Sequence, residues 1–125
     1  MVFRNFELKS GTRVFLGKDS ESNDELMKKF KGKNNTILHT ESPGSPFGVI
    51  EKIKPTKEEI YGTGVIVAKY SQDWRDKKKD VELNVFTGKD ISKPWFSKPG
   101  SWKVKKSKKI KVKKGDILKF EREKK

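Results

Sequence analysis

The sequence predicts one small α+β domain with about seven short, mostly antiparallel strands and two helices. Stretches rich in β-branched and aromatic residues recur along the chain, and Gly, Pro and Ser separate them as in antiparallel sheets. Two other stretches carry helix-capping patterns. A chain of 125 residues can bury one hydrophobic core, and neither an internal repeat nor a long linker divides it.

Four strands are predicted in the first half of the chain, at residues 2–8, 14–16, 36–40 and 47–53. The first two should form a hairpin, because Ser10 and Gly11 favour a turn between them. The proline- and glycine-containing residues 42–46 should form a second turn. The single histidine, His39, is therefore expected at the end of a strand, just before that turn.

The first helix is predicted from a capping box. Ser22 is followed three residues later by Glu25, so the helix should begin there. Leu26 and Phe30 lie on one apolar stripe behind the cap, and Gly32 should end the helix.

A second capping box, formed by Thr56 and Glu59, predicts the second helix. No turn dipeptide interrupts residues 56–71, which favours a helix over that length. Residues 65–67 are β-branched and would suit a strand equally well, so both interpretations stay open. Trp74 follows this segment and should lie in the core or anchor the helix end.

The segment after the second helix should return the chain to the sheet. Residues 77–79 are all lysine and predict a charged connector, and the alternation over residues 81–85 predicts a strand. Residues 91–100 are expected to form a loop fixed by Pro94 and Pro99.

A lysine-faced hairpin is predicted next. Residues 102–104 and 110–112 alternate apolar side chains with lysine, as in half-buried strands. Trp102 should point inward together with Val104. A turn at residues 113–116 should precede the apolar residues 117–120.

The positive charge is concentrated in the last third of the chain. The net charge is +14, and residues 89–125 contribute +11 of it, from 15 basic and four acidic residues. Residues 103–114 hold eight lysines and no acidic residue. Because a surface kept merely soluble usually mixes both signs, this stretch predicts binding of a polyanion. Lysine in place of arginine favours contact with phosphates over reading of bases.

The candidate nucleic-acid contacts in this region are Lys93, Trp95, Lys98, Lys103, Lys105, Lys106, Lys108, Lys109 and Lys111. Trp95 could stack on a base or pack beneath its own loop, and both roles stay open. The expected binding depends strongly on salt and weakly on sequence.

Several function classes are disfavoured by the composition. The chain has no cysteine and one histidine, so it offers neither a metal-ligand cluster nor a set of nucleophile, base and orienting residue. We therefore expect a non-enzymatic protein without metal or cofactor. No apolar run approaches the length of about 18 residues that spans a bilayer. A cytoplasmic protein without membrane contact is the expectation.

An ordered set of short motifs connects these segments. The first members are Gly17, Lys18, Asn23-Asp24, His39 and Pro43-Gly44-Ser45. The order continues with Tyr70-Ser71 and with two Lys-Pro steps, at residues 93–94 and 98–99. The set resembles the NFACT-R domain family and extends over nearly the whole chain. The chain departs from the family pattern where the strand before His39 lacks an aromatic residue and where Pro46 replaces a second histidine.

The resemblance implies an NFACT-R-like RNA-binding domain at residues 1–120, followed by a charged tail at residues 121–125. Its larger relatives are ribosome quality-control factors that engage large ribosomal subunits and tRNA. The implied partner is rRNA or tRNA, with the large ribosomal subunit as a wider target. The chain has no room for the other domains of those factors, so a stand-alone version is expected.

Lys18, Asn23 and His39 are further candidate RNA contacts. Lys18 and Asn23 would form part of an anion pocket at the exposed N-terminus of the first helix, and His39 would face the ligand. Two structural roles remain as alternatives: His39 as a hydrogen-bonded strand residue and Asn23 as a capping residue. Two other functions also stay open, an adaptor that docks on a ribosomal or other protein partner and a general DNA-binding protein.

Overall fold

Strands with two apolar faces build a central sheet that is covered on both sides. The structure is a computed structural model that describes residues 3–93 and 101–123. Its strands are β1 (Arg4–Glu7), β2 (Arg13–Leu16), β3 (Thr36–Thr40), β4 (Gly48–Ile50), β5 (Val81–Thr87), β6 (Ile91–Ser92), β7 (Lys103–Val104) and β8 (Lys108–Val112). Its helices are α1 (Ser20–Phe30), α2 (Lys57–Lys69), α3 (Gln72–Lys77) and α4 (Lys114–Glu123), and a 3₁₀ turn spans Gly88–Asp90.

Six of the strands form one antiparallel sheet in the order β1-β2-β4-β3-β5-β8, while β6 and β7 form a separate two-stranded sheet. The α+β class is therefore confirmed. The described residues contain four helices and eight strands, where two helices and about seven strands were expected. The two additional helices are α3 and α4.

Each face of the sheet carries its own apolar cluster. Adjacent residues of a strand point to opposite faces, so Leu38 packs towards α2 while Ile37 packs towards α1. Leu83 and Val112 continue the α2 face, as the alternation predicted for Leu83. Phe86 belongs to the α1 face.

The first helix starts earlier than its sequence predicted. Asp19 is the N-cap, its carboxylate accepting a hydrogen bond from the Ser22 amide at 2.8 Å. Ser22 occupies the third helical position and its hydroxyl accepts from the Asp19 amide, so the capping box is shifted by three residues. The prediction of Ser22 as the cap is wrong, because a nearby carboxylate is an equally good cap and Asp19 takes the role. The hydrogen bonds that Ser22 donates to the Asp19 carboxylate, above all from its amide, hold the pKa of Asp19 below its ordinary value.

The second helix begins as predicted, with Thr56 as N-cap and Glu59 completing the capping box. Residues 65–67 are helical, so the strand alternative is wrong. Glu59 is 4% exposed and accepts hydrogen bonds from the Ser10 and Thr12 hydroxyls at 2.7 and 2.6 Å. These donors and the Thr56 amide hold the pKa of Glu59 well below its ordinary value. The carboxylate thereby ties the first hairpin turn to the start of α2.

Helix α3 lies directly before the predicted lysine connector and includes only its first residue, Lys77. Ser71 caps it, and Lys78, in the left-handed conformation with φ 52°, ends it. Trp74 is 1% exposed, which confirms its place in the core. Its indole Nε1 donates to Glu121 at 3.0 Å.

The C-terminal residues differ most from expectation. The hairpin predicted from residues 102–104 and 110–112 is wrong, since β7 pairs with β6 and β8 pairs with β5. Ile110 and Val112 lie over Gly64 of α2, so β8 extends the α2 face at the free edge of β5. Val104 is 38% exposed and does not point inward.

The expected turn at residues 113–116 is the start of helix α4. Ile117 is fully buried against the α2 side, and the helix continues through Glu123. Within the described residues, no helix is both long enough and apolar enough to cross a bilayer.

Gly88 provides a test of how α1 is fixed against the sheet. A Cβ added at Gly88 would lie 1.9 Å from the Phe30 carbonyl oxygen and 2.7 Å from that of Lys33. We expect Gly88→Ala to lower the free energy of unfolding by about 3 kcal/mol, because backbone must move to relieve the overlap. Urea denaturation followed by tryptophan fluorescence measures the change.

The matched control is Gly115→Ala, whose added methyl group meets no atom within 4 Å. In helix α4 this change should leave stability unchanged or raise it by about 1 kcal/mol. Equal stabilities of the two variants would show that the close approach at Gly88 does not constrain the fold.

Candidate nucleic-acid interface

A cleft opens where the apolar cover provided by α1 ends. Its volume is about 660 Å³. The floor is formed by strand residues that include His39, Asn84 and Phe86. The remaining described lining residues are Arg4, Gly17, Lys18, Asp19, Ser20, Asn23, Pro43, Gly44, Ser45, Pro46, Phe47, Tyr70, Arg75, Ser101, Trp102 and Val104. The cleft therefore gathers motif residues that are far apart in the sequence.

The strand register explains why these residues meet. His39 of β3 lies opposite Asn84 of β5, and Asn84 lies opposite Lys109 of β8. Residues directly opposite in antiparallel strands point to the same face, so the three form a row across the sheet. This row lies on the α1 face, beyond the last residues that α1 covers.

Asn23 supports the cleft wall through its side-chain oxygen. Asn23 Oδ1 accepts a hydrogen bond from the Phe47 amide at 3.0 Å. A Cβ at Gly17 would lie 1.9 Å from this oxygen, so only glycine fits beside it. Asn23 lies inside α1 and does not cap it, because Asp19 does. Its amide group lines the cleft together with the exposed Lys18.

His39 is half-buried near the end of β3. Its Nδ1 donates to the Thr40 carbonyl at 2.8 Å, and its ring lies 4.5 Å from that of Phe47. Burial lowers the pKa of His39, while backbone carbonyl contacts with Thr40 and Ser45 oppose that shift. Burial thus favours the uncharged ring, and His39 is both hydrogen-bonded to backbone and part of the cleft floor.

Asp24 clamps the two ends of the segment that follows β6. Its Oδ1 accepts from Trp102 Nε1 at 2.9 Å and lies 3.2 Å from Lys93 Nζ. Lys93 also donates to the Ser101 carbonyl at 3.1 Å, and its ammonium lies 5.4 Å from the centre of the Trp102 ring. Lys93 is therefore engaged inside the protein, and the half-buried Trp102 packs against the α1-side cluster.

The other lysines of the predicted binding surface are exposed. Lys103, Lys105, Lys106, Lys108, Lys109 and Lys111 all lie at the surface of β7, β8 and the bend between them. Lys109 forms an ion pair with Glu41, which raises the pKa of Lys109 and lowers that of Glu41. Lys111 lies opposite Glu82 in the sheet. Trp95 and Lys98 fall outside the described residues.

Sequence reasoning missed several residues of the cleft. Arg4 and Arg75 come from β1 and α3, and the Arg4 guanidinium lies 4.6 Å from the ring centre of Tyr70, a motif residue at the end of α2. Asn84 was assigned only to a strand. Because Asn84 alternates with Leu83 and Val85 along β5, it lies on the opposite face of the sheet from them. Which side of the sheet this is depends on where α1 packs, so the sequence alone does not place Asn84 in the cleft.

The fold and the cleft define a small α+β domain with a basic surface beside a polar cleft. A sequence model described as "NFACT protein RNA binding domain" matches residues 1–108. The chain therefore belongs to this family, as its motifs predicted, and membership indicates RNA binding in a broad sense. No curated protein sequence matches the chain.

A solved structure has a similar fold. It is the C-terminal part of the fibronectin/fibrinogen-binding protein from Streptococcus suis, with a TM-score of 0.83 and 22% sequence identity. The alignment covers 95% of this chain and 49% of the other, so this chain spans about half the length of that one. At this identity the likeness establishes the fold.

The Asp24 clamp can be tested with Asp24→Ala. We expect the change to lower the free energy of unfolding by about 1–2 kcal/mol, because it leaves Trp102 Nε1 and the Lys93 ammonium without this shared acceptor. Urea denaturation measures the destabilisation, and a shift in tryptophan emission reports the change at the indole. Glu25→Ala, at the next and exposed residue of α1, is the control and should leave both readouts unchanged.

Proposed function

We propose that this domain is a non-enzymatic RNA-binding module that contacts rRNA or tRNA phosphates in a ribosome-associated or translation quality-control setting. The observation that carries the proposal is the convergence of three family-motif residues, Lys18, Asn23 and His39, on one cleft beside the β8 lysines. The match to an RNA-binding domain family supports the same function. Lys103 and Lys105, in and directly after β7, extend the positive surface.

The described surface suits phosphates better than it suits a protein groove. Its cations are mainly exposed lysines, which act as point charges, and Ile53 and Val104 are the large hydrophobic residues exposed among the described ones. Protein docking sites have a more apolar centre than this. The ion pair between Lys109 and Glu41 reduces the charge locally, so Lys105, Lys106 and Lys108 are the better candidates for phosphate contact.

The salt dependence of binding measures how many lysines contact phosphates. Replacing Lys105, Lys106 and Lys108 together by Gln should weaken binding of labelled tRNA and reduce the slope of log K against log salt concentration by about 2. The expected reduction follows from a slope of about 0.7 for each phosphate that a lysine neutralises in a single-stranded region. Fluorescence anisotropy at several salt concentrations measures both quantities, with duplex DNA as competitor.

The control carries Lys9, Lys57 and Lys119, also replaced by Gln. These lysines are exposed, change the net charge equally and lie outside β7, β8 and the bend between them. Their replacement should keep the slope within about 0.5 of the unmodified protein. Equal effects of the two variants would show that total charge, and not this surface, governs binding. Preferential displacement by duplex DNA would favour a general DNA-binding protein.

The ribosomal setting has its own test. Crosslinking of the protein to RNA in cells, followed by sequencing of the bound RNA, should enrich rRNA or tRNA fragments over messenger RNA. The triple Gln variant at Lys105, Lys106 and Lys108 should lose that enrichment. Crosslinks spread over RNA in proportion to abundance, and equal in the variant, would contradict the proposed setting.

A further inference from the structure

The cleft carries polar groups that phosphate binding does not explain. The Asn84 side chain has no hydrogen-bond partner among the described residues, although the residues beside it in β5, Leu83 and Val85, are packed into the core. The amide nitrogen of Asn23 is likewise without a partner there, since Asn23 uses only its oxygen, on Phe47. Both residues line the same cleft.

A carboxamide suits a nucleotide base better than a phosphate. Its NH2 group donates and its oxygen accepts hydrogen bonds, and their spacing matches that of the donor and acceptor on the edge of a base. The group also carries no charge. A phosphate can use only the donor half, so the oxygen of Asn84 would repel it. An uncharged amide on the floor, beside the rings of His39 and Phe86, and a second amide at the wall therefore favour a base.

The size and walls of the cleft fit the same ligand. A volume of about 660 Å³ lies within the range of small-molecule sites, which hold roughly 300–1,000 Å³. Phe47, Phe86 and Trp102 supply apolar and aromatic lining, while Lys18 and Arg75 supply cations at its walls. A double helix keeps its bases stacked inside and cannot place one in such a cleft, whereas single-stranded RNA can.

We propose that the cleft binds one unpaired nucleotide of a single-stranded RNA, with Asn84 contacting the base edge and the wall cations Lys18 and Arg75 contacting the adjoining phosphates. The inference rests on the proposed RNA binding and adds the form of RNA that the site accepts. The exposed lysines of β7 and β8 hold the neighbouring backbone, and the cleft provides the preference for unpaired RNA.

The test compares a single-stranded RNA oligonucleotide with the same oligonucleotide in a perfect duplex, using fluorescence anisotropy on the full chain. We expect the single strand to bind about tenfold more tightly. Asn84→Ala should remove most of that difference while leaving duplex binding unchanged, because it deletes the base contact and no cation. Asn84 is half-buried without a described partner, so this variant should keep its thermal unfolding midpoint.

A second variant fills the cleft without removing any described contact. Val104 lines the cleft and is 38% exposed, so Val104→Trp should occupy the base site, and Ile53→Trp, at an exposed residue outside the cleft, is its control. We expect Val104→Trp to weaken binding of the single strand about tenfold and to leave duplex binding unchanged. Ile53→Trp should behave like the unmodified protein in both assays.

The outcomes separate this inference from the RNA-binding function itself. Equal binding of single strand and duplex, unaffected by Asn84→Ala and Val104→Trp but reduced by replacement of Lys105, Lys106 and Lys108, would overturn the nucleotide site and leave phosphate binding intact. Absence of binding to either RNA would overturn both. A single-strand preference that both cleft variants abolish would establish the site.

Discussion

The architecture depends on two adjacent strands, β3 and β5, that must be apolar on both faces. Leu38 and Leu83 face α2, whereas Ile37 and Phe86 face α1, because neighbouring residues of a strand point in opposite directions. Burial on both sides fixes the register, since a shift by one residue would exchange the two faces. The next residues along the α1 face lie beyond the helix, and there the strands carry His39 and Asn84. The cleft is thus the place where α1 stops covering the sheet.

Hydrogen bonds from carboxylates then attach the less regular parts to this frame. Glu59 ties the first hairpin turn to α2, Asp24 holds Trp102 and Lys93, and Glu121 receives the Trp74 indole. The chain has a net charge of +14. These three carboxylates hold parts of the structure together, while most of the lysines lie at the surface.

Local sequence patterns predicted an element correctly where the segment was compatible with one structure, and incorrectly where it was compatible with two. The capping box of Thr56 and Glu59 located α2, since no other cap lies near it. Asp19 and Ser22 are both suitable caps, and the hydrogen bonds formed by Asp19 decided between them. The β8 strand alternates apolar residues with lysine in a way that fits any sheet edge. Its partner was decided by the free edge of β5 and by the space that Gly64 leaves over α2.

The sequence by itself determined the α+β class, the family, the start of α2 and the concentration of lysine in the last third. These properties follow from residue order and local pairing, which a pattern of apolar and polar positions encodes directly. Tertiary structure alone decided that β7 and β8 belong to different sheets, that Lys93 is engaged by Asp24 and that Glu41 pairs with Lys109. It also brought Arg4, Arg75 and Asn84 to the motif residues. Those contacts join residues far apart in the chain, so no local pattern could specify them.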